Sequence, residues 1–530
     1  MNRIIEIIRS NKRINFVSLL IFSTFFFCIF SYILPIRFET NDDYIMCLIA
    51  NGSYTGSPDY HLIFINFIYG WVLQQFYLFI PFFEWYSIFF SILHIISISI
   101  IAWYIINSKT NSVVRIVCFL LLFLLQIKLI ESFQFTTTAA ITGISGLVLL
   151  LRDSWWSKLI GAIIFFVATL VRFDAALLVL LISSPLIIYE FFYKSNLKLA
   201  AVIFTVVSIA FFSKYIDNRQ YDKFVNGDYK AYDYYRGKIN NNLNTFRVID
   251  KLPADISKTD FFLLTNFLVD KNIITLDKIE SIYNVYDEVP VIYLLKNAFY
   301  SLLKYKFTIL VLLFMYIFLI VAAKNNQYRY VLFLCFSIFI LACTYVTFQD
   351  ILKERVFISA VLPLVLVYFY FSIIIYTKSR WHLFFLFLLG FILLIDLNLN
   401  KRDKTDRLYD EMINYAKYNN HSLVISSIPS TINIFNLKEY FSGLQIKSAI
   451  GFMLYLDINK FCIDSHLRFL EDDVNIMIDN SVFFSFERGK KIDVVGLIIE
   501  GLKRNYGVES QVNLIYTNDK YSIVQLRKSS

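Results

Sequence analysis

Asn41-Asp42-Asp43-Tyr44, with the following IMCLIANGSYTGSPDYH that ends at His61, is the stretch of this sequence best equipped for chemistry. A carboxylate next to a bound hydroxyl can take its proton as the oxygen attacks, and here two carboxylates are adjacent. Helix capping competes with that reading, because Asn41 or Asp42 could cap a helix that starts at 43. A cap needs one such residue, however, and three occur in succession. The Gly and Pro residues of NGSYTGSP then turn the chain back. His61 could orient an acceptor or share a divalent ion with Asp42 and Asp43. A lone histidine is more often structural, and Asp59 and His61 do not form a metal motif by spacing.

These residues are embedded in a very apolar chain. Of its 530 residues 58% are hydrophobic and 17% charged, and the mean hydropathy is +0.59. Disorder is excluded, and a cytosolic enzyme is disfavoured. Each bilayer crossing needs ~20 mostly apolar residues, and the sequence contains many such runs. The formal charge of +9 does not indicate a nucleic-acid partner, because the short basic clusters lie between apolar runs, where they anchor cytoplasmic loops. Of the six cysteines, Cys28, Cys118, Cys335 and Cys343 fall in apolar runs, Cys47 and Cys462 are isolated, and no C-x-x-C occurs. Neither a zinc ribbon nor a disulfide framework is indicated.

Arg3, Arg9, Lys12 and Arg13 precede the first apolar run, so the N-terminus is expected in the cytoplasm. That run, 14–36, lacks a small-residue cleavage site and reads as a retained helix. The first external loop is 37–83. Within it, 61–80 carries Tyr69, Trp71, Gln74 and Gln75 and suits a helix on the membrane surface. A single crossing at 84–106 then puts every later short basic loop inside. The remaining spans are 113–131, 134–151, 157–171, 175–193, 199–216, 304–323, 330–348, 356–377 and 382–399. The fold class is therefore mainly α, a polytopic membrane protein with about 11 transmembrane helices, plus a small C-terminal α/β domain. The membrane part is 1–399, with a large, tyrosine-rich external loop at 217–300. The external domain is 400–530. It opens with an amphipathic helix over 404–419, in which Leu408, Met412, Ile413 and Ala416 share a face. A strand follows at 422–427, a second helix at 493–505 and a final strand in KYSIVQLRK.

The acidic pair, the turn and the second interfacial segment PDYHLIFINFIYG together resemble the first external loop of the GT-C superfamily of membrane glycosyltransferases. The branch with protein O-mannosyltransferases and aminoarabinose transferases is the most similar. Asp43 stands where that branch has Glu, and Pro58-Asp59-Tyr60-His61 replaces its His-Pro-Pro. The resemblance is specific over about the first 105 residues, architectural over the other spans, and absent as a motif in the C-terminal domain. It implies a polyprenyl-phosphate sugar donor and a glycan, polymer or lipid acceptor at the outer face of a bacterial cytoplasmic membrane. It also implies Asp42 as general base, and generally inversion at the anomeric carbon without a nucleotide-sugar site.

A departing lipid phosphate needs cations. Arg355, with Lys353 beside it in QDILKERVFISAVLP, opens a span on the external side. Similar proteins carry an arginine followed by a Pro-bearing helix at a comparable place, although an interfacial anchor reads the same way. Arg172 and Asp174 in LVRFDAALL sit at another external edge, as phosphate contacts or simply as a pair. Lys128 and Glu131 flank a third. Arg236 lies among the tyrosines of YDYYRGKIN, whose aromatic faces beside polar groups suit a sugar ring, or the loop could simply pack on its own aromatics. No cofactor is expected beyond an optional divalent ion, and the glycines form no phosphate-cradling loop. Two other functions remain open. A polysaccharide polymerase or ligase would rely on external arginines, and a lipid-linked sugar flippase would show repeated halves and broken helices, which this sequence lacks.

Overall fold

The computed structural model describes residues 15–33, 36–53, 56–108, 110, 112–193, 195–224, 229–240, 251–265, 274–286, 291–349, 352–375, 404–419, 423–425, 434–435, 437–440, 442, 446–449, 474–479, 484–487, 490–493, 496, 499–500, 503–504, 509–519 and 521–528. The span expected at 382–399, together with His382, His421, His466 and Cys462, lies outside the described residues.

Apolar runs become helices because a helix satisfies its own backbone where no water is available. In chain order, α1 is Phe16–Ile33, β1 Arg37–Phe38, α2 Asn41–Ala50, α3 Phe67–Phe79, α4 Trp85–Ile106, α5 Ser112–Glu131, β2 Ser132–Phe133, α6 Phe135–Leu150, α7 Trp155–Val171, α8 Phe173–Tyr193 and α9 Leu197–Phe224. The segment that follows contributes α10 Tyr229–Asn240, α11 Lys258–Thr265, α12 Leu276–Tyr286 and α13 Val291–Leu303. The chain then returns to the bundle with α14 Lys306–Ala322, α15 Asn326–Gln349 and α16 Glu354–Ile374. Among the described residues, seven helices (α1, α4, α5, α8, α9, α15 and α16) are long and apolar enough to cross a membrane, and α6, α7 and α14 are shorter apolar helices. The protein is a polytopic helical membrane protein.

Two boundaries differ most from the sequence reading. The surface helix expected at 61–80 begins only at Phe67, where the Asn66 side chain caps it by accepting from the Ile68 N–H at 3.0 Å. Helix α9 runs on to Phe224, past the expected end at 216, because polar residues continue the helix beyond its apolar run.

The first loop is pinned to the bundle by a short parallel ladder, in which Arg37 pairs with Ser132 and Phe38 with Phe133. The Glu39 N–H donates to the Phe133 carbonyl at 3.0 Å, extending that ladder towards α2. After α2 the chain reverses at Gly52, whose φ is +80°. A Cβ there would lie 2.6 Å from the Pro58 nitrogen, so only glycine fits this turn.

The C-terminal segment opens with α17 Lys404–Tyr418, whose Tyr409, Met412, Ile413 and Ala416 are buried. It continues through β3 Leu423–Ile425, the short helix α18 Leu437–Tyr440, β4 Ile446–Ala449, β5 Val474–Asp479, a hairpin of β6 Phe484–Glu487 and β7 Lys490–Asp493, then β8 Ser510–Thr517 and β9 Tyr521–Lys528. Five of these strands form a sheet of order β4-β3-β5-β9-β8. Strand β3 is parallel to both of its neighbours, and β9 is antiparallel to both of its own. Of the helix expected at 493–505, Asp493 belongs instead to strand β7, and 496, 499–500 and 503–504 are helical. Tyr409, Met412, Leu437 and Ile523 belong to the same buried cluster as Tyr44 of α2 and Tyr86 of α4, so this segment is packed onto the first loop.

Candidate active site

Helix α2 starts two residues earlier than the capping argument expects. Its N-cap is Thr40, in extended conformation and without a side-chain capping bond. Asp42 and Asp43 therefore both lie in the first turn, where unpaired backbone N–H groups favour negative charge.

The two aspartates have different surroundings. Asp43 is fully buried. Its Oδ1 accepts from the Tyr86 hydroxyl at 3.0 Å and the Phe135 N–H at 3.1 Å, and its Oδ2 from the Thr40 hydroxyl at 3.3 Å. It ties α2 to α4 and α6. Burial, and then the charge of Asp42, push its carboxyl well above the usual range, against the opposing pull of the Tyr86 hydrogen bond. Asp42 points the other way, and its Oδ2 lies 3.2 Å from Arg355 Nη2. The two side chains are 15% and 12% exposed, sheltered but within reach of a ligand.

This ion pair sits at the head of a cavity of about 1450 Å³. Glu39, Thr40, Asp42, Arg172, Asp174, Arg236, Lys353 and Arg355 line its polar end. Below them the walls are apolar: Leu177, Leu178 and Leu181 of α8, Val207 and Phe211 of α9, and Ile338, Leu341 and Tyr345 of α15. From Leu177 to Ser184 the α8 wall is about 10 Å deep, at 1.5 Å per residue. Leu341 and Tyr345 are 67% and 64% exposed, so α15 presents this wall to its surroundings. The shape is a charged head site above an apolar trough.

The expected site residues divide accordingly. Asp42, Arg172, Arg236, Lys353 and Arg355 all line the cavity, although they come from four distant parts of the sequence. Arg172 follows α7 directly. Its guanidinium lies 5.3 and 5.4 Å from the Phe64 and Phe135 ring centres, an attractive cation–π arrangement, and 3.4 Å from Asp174. Asp43 and His61 are not among the lining residues. His61 Nδ1 is 2.7 Å from Asp59, and its ring packs edge-on against Tyr221 of α9. Burial pushes the Asp59 carboxyl up, but the hydrogen bond and charge of His61 outweigh it and hold it low. Lys128 and Glu131 also lie outside the cavity and form a buried chain behind Arg355. Lys128 is 3.4 Å from Glu131 and 3.5 Å from Glu354. Among the described residues no group of three or more His, Cys, Asp or Glu side chains could hold a metal ion.

Glu39 is a cavity residue that the sequence reading did not single out. Burial, reinforced by the charge of Glu354, raises its carboxyl to about 7 against the opposing charges of Arg355 and Lys128 and a hydrogen bond from the Arg355 backbone N–H. Its Oε2 is buried without a hydrogen-bond partner. The one available signal was its position three residues before Asp42, and the charges of Arg355 and Glu354 that act on its carboxyl come from more than 300 positions later.

No family model matches this sequence, and no curated protein matches it. Among solved structures, the chain is similar to ArnT from Cupriavidus metallidurans, crystallised bound to undecaprenyl phosphate. The similarity covers 96% of this chain and 97% of that one, with 10% identity and a TM-score of 0.39.

Proposed function

We propose that this chain is a membrane glycosyltransferase, moving a sugar from a polyprenyl-phosphate donor to a hydroxyl on a surface glycan, polymer or lipid at the outer face of a bacterial cytoplasmic membrane. The observation that carries this reading is the meeting of Asp42 and Arg355, 313 positions apart in sequence and 3.2 Å apart in space, at the head of an apolar trough. A base and an anion-binding group in one sheltered head site, above a groove for an isoprenoid tail, are the parts that such a transfer needs.

In the reaction, Asp42 accepts the proton of the acceptor hydroxyl as that oxygen forms a bond to the anomeric carbon. The bond from the anomeric carbon to the phosphate oxygen breaks, and its electron pair leaves with the prenyl phosphate. Arg355, assisted by Arg172, Lys353 and Arg236, offsets the negative charge that builds on the leaving group. Attack opposite the leaving phosphate inverts the anomeric centre. Asp43 holds α2, and therefore Asp42, at the correct height. His61 braces the loop that follows.

A second reading, a polymerase or ligase of polyprenyl-linked glycans, is favoured by the three arginines around the cavity. The two differ in what is transferred, one sugar or a chain. The test gives purified protein a short-chain prenyl-phosphate sugar and measures release of prenyl phosphate. Release that requires an acceptor and falls by about 10²- to 10⁴-fold in Asp42→Asn is expected. Transport of the lipid across vesicles without release would replace the transferase with a flippase.

A further inference from the structure

In this structure Asp42 and Arg355 neutralise one another, yet the transfer requires both groups in another state. The base must offer its oxygen to a hydroxyl, and the arginine must offer its charge to a phosphate. We propose that the pair is a latch operated by the donor: a prenyl-linked phosphate entering the head site draws the Arg355 guanidinium away from Asp42, and only then can Asp42 take the acceptor proton. This rests on the glycosyltransferase reading and adds an order of events to it.

Three features support the exchange. The pair is joined by one contact, from Nη2 to Oδ2, whereas a guanidinium has five N–H donors in a planar fork and binds phosphate through two at once. A bidentate partner therefore outcompetes the single carboxylate oxygen. Both backbones are anchored independently of the pair. The Arg355 carbonyl accepts from Ser359 Oγ at 2.7 Å, its N–H donates to Glu39, and α2 is fixed through Asp43. The side chains can therefore part while the helices stay in place. The charges that face Arg355 also leave the balance fine. Asp42 of the first loop opposes it, Glu39 does so only when ionised, Glu354 and Lys353 flank it on its own chain segment, and Lys128 of α5 stands behind Glu354. Arg172, Arg236 and Lys353 line the same cavity, so an arriving anion meets further positive charge as it competes for Arg355.

The experiment measures binding of farnesyl phosphate, with inorganic phosphate and farnesol as separate arms, to the full-length protein in nanodiscs, alongside turnover. Removing the competing carboxylate in Asp42→Asn is expected to tighten farnesyl phosphate binding by about tenfold, equivalent to ~1.4 kcal/mol, while turnover is lost. Farnesol binding should not change. An equal gain for inorganic phosphate would show that the head site alone supplies the effect. Arg355→Gln should weaken farnesyl phosphate binding and remove the gain in the double variant. Should Asp42→Asn fail to accumulate, Asp42→Ser makes the same comparison. Unchanged or weaker farnesyl phosphate binding in Asp42→Asn, with turnover lost, overturns the latch and leaves Asp42 as base. Retained turnover overturns both.

Discussion

Glu84 accepts a hydrogen bond from the backbone N–H of Lys438 at 2.9 Å, which joins the start of a bundle helix to a residue 354 positions later. The same buried carboxylate accepts from Cys47 Sγ at 3.1 Å and Asn51 Nδ2 at 3.2 Å, both at the far end of the helix that carries Asp42, and from the Tyr77 hydroxyl at 3.2 Å. Beside it, Ser87 Oγ donates to the Ile434 carbonyl at 2.8 Å, and Lys438 Nζ to the Pro81 carbonyl at 2.9 Å. The C-terminal segment is thus clasped to the surface elements that hold the candidate base.

Breaking this clasp should loosen the site without touching it. Glu84→Ala leaves several buried donors without a partner, at about 1–3 kcal/mol each when unsatisfied. A lower melting temperature of the detergent-solubilised protein is expected, with early proteolysis between the bundle and the C-terminal segment. Ser87→Ala, which removes one hydrogen bond, should cost only about 1 kcal/mol. Equal effects for the two variants would remove Glu84 from the centre of the clasp.

Glu39 should make the protein pH-sensitive near neutrality. Its carboxyl is raised from the ordinary 4.5 to about 7, so the folded state holds a proton that the unfolded chain releases. The stabilisation is complete below the unfolded value and is lost as pH rises through about 7. Glu39→Gln should therefore melt at nearly the wild-type temperature at about pH 5 and above it at about pH 8. Ionised Glu39 also opposes anion binding beside Arg355, so farnesyl phosphate affinity should fall through neutrality more steeply in wild type than in Glu39→Gln. Parallel melting curves across that range would show that Glu39 does not titrate there.

Asp43 should respond to shape more than to charge. Asp43→Asn keeps Oδ1 for Tyr86 and Phe135, so the fold should tolerate it. Asp43→Ala strands a buried hydroxyl and a buried amide, at about 2–6 kcal/mol in total. Turnover should drop in the alanine variant together with melting temperature. Loss of turnover in Asp43→Asn at full stability would instead give Asp43 a direct part in proton transfer.

Arg172 should act on donor affinity. Arg172→Ala removes a guanidinium held between two aromatic rings, and a rise in KM for the prenyl-linked donor of roughly tenfold, ~1.4 kcal/mol, is expected. Asp174 is 76% exposed, so Asp174→Asn should change little, as for other surface pairs. Equal defects in both variants would mark a structural pair.

The trough should read chain length. Ala342 lines the cavity on α15, and Ala342→Phe fills part of the groove. KM for a long polyprenyl donor should rise while that for a short one stays unchanged. A uniform effect on both would move the tail elsewhere.

Several features were legible along the chain because they are local. Apolar runs of membrane length determined the bundle helices, and Asp42 of the acidic pair after the first run, with Arg355 and Arg172 at the ends of later ones, marked residues that now line one cavity. Capping chemistry placed the start of α2 two residues late, because Thr40 sets the helix boundary without a side-chain bond. Adjacent aspartates looked equivalent in sequence. Helical rotation of about 100° per residue sends Asp43 into the protein and Asp42 into the cavity.

Hydropathy is a property of a segment, so the sequence alone determined that this chain crosses a membrane many times and where its acids and arginines fall along it. Charge pairing and proton affinity are properties of neighbours in space. Tertiary structure alone decided that Asp42 faces Arg355, that burial beside Glu354 keeps a proton on Glu39 up to neutral pH, and that Glu84 grips Lys438. Each depends on groups that are brought within a few ångströms only when helices hundreds of residues apart pack together.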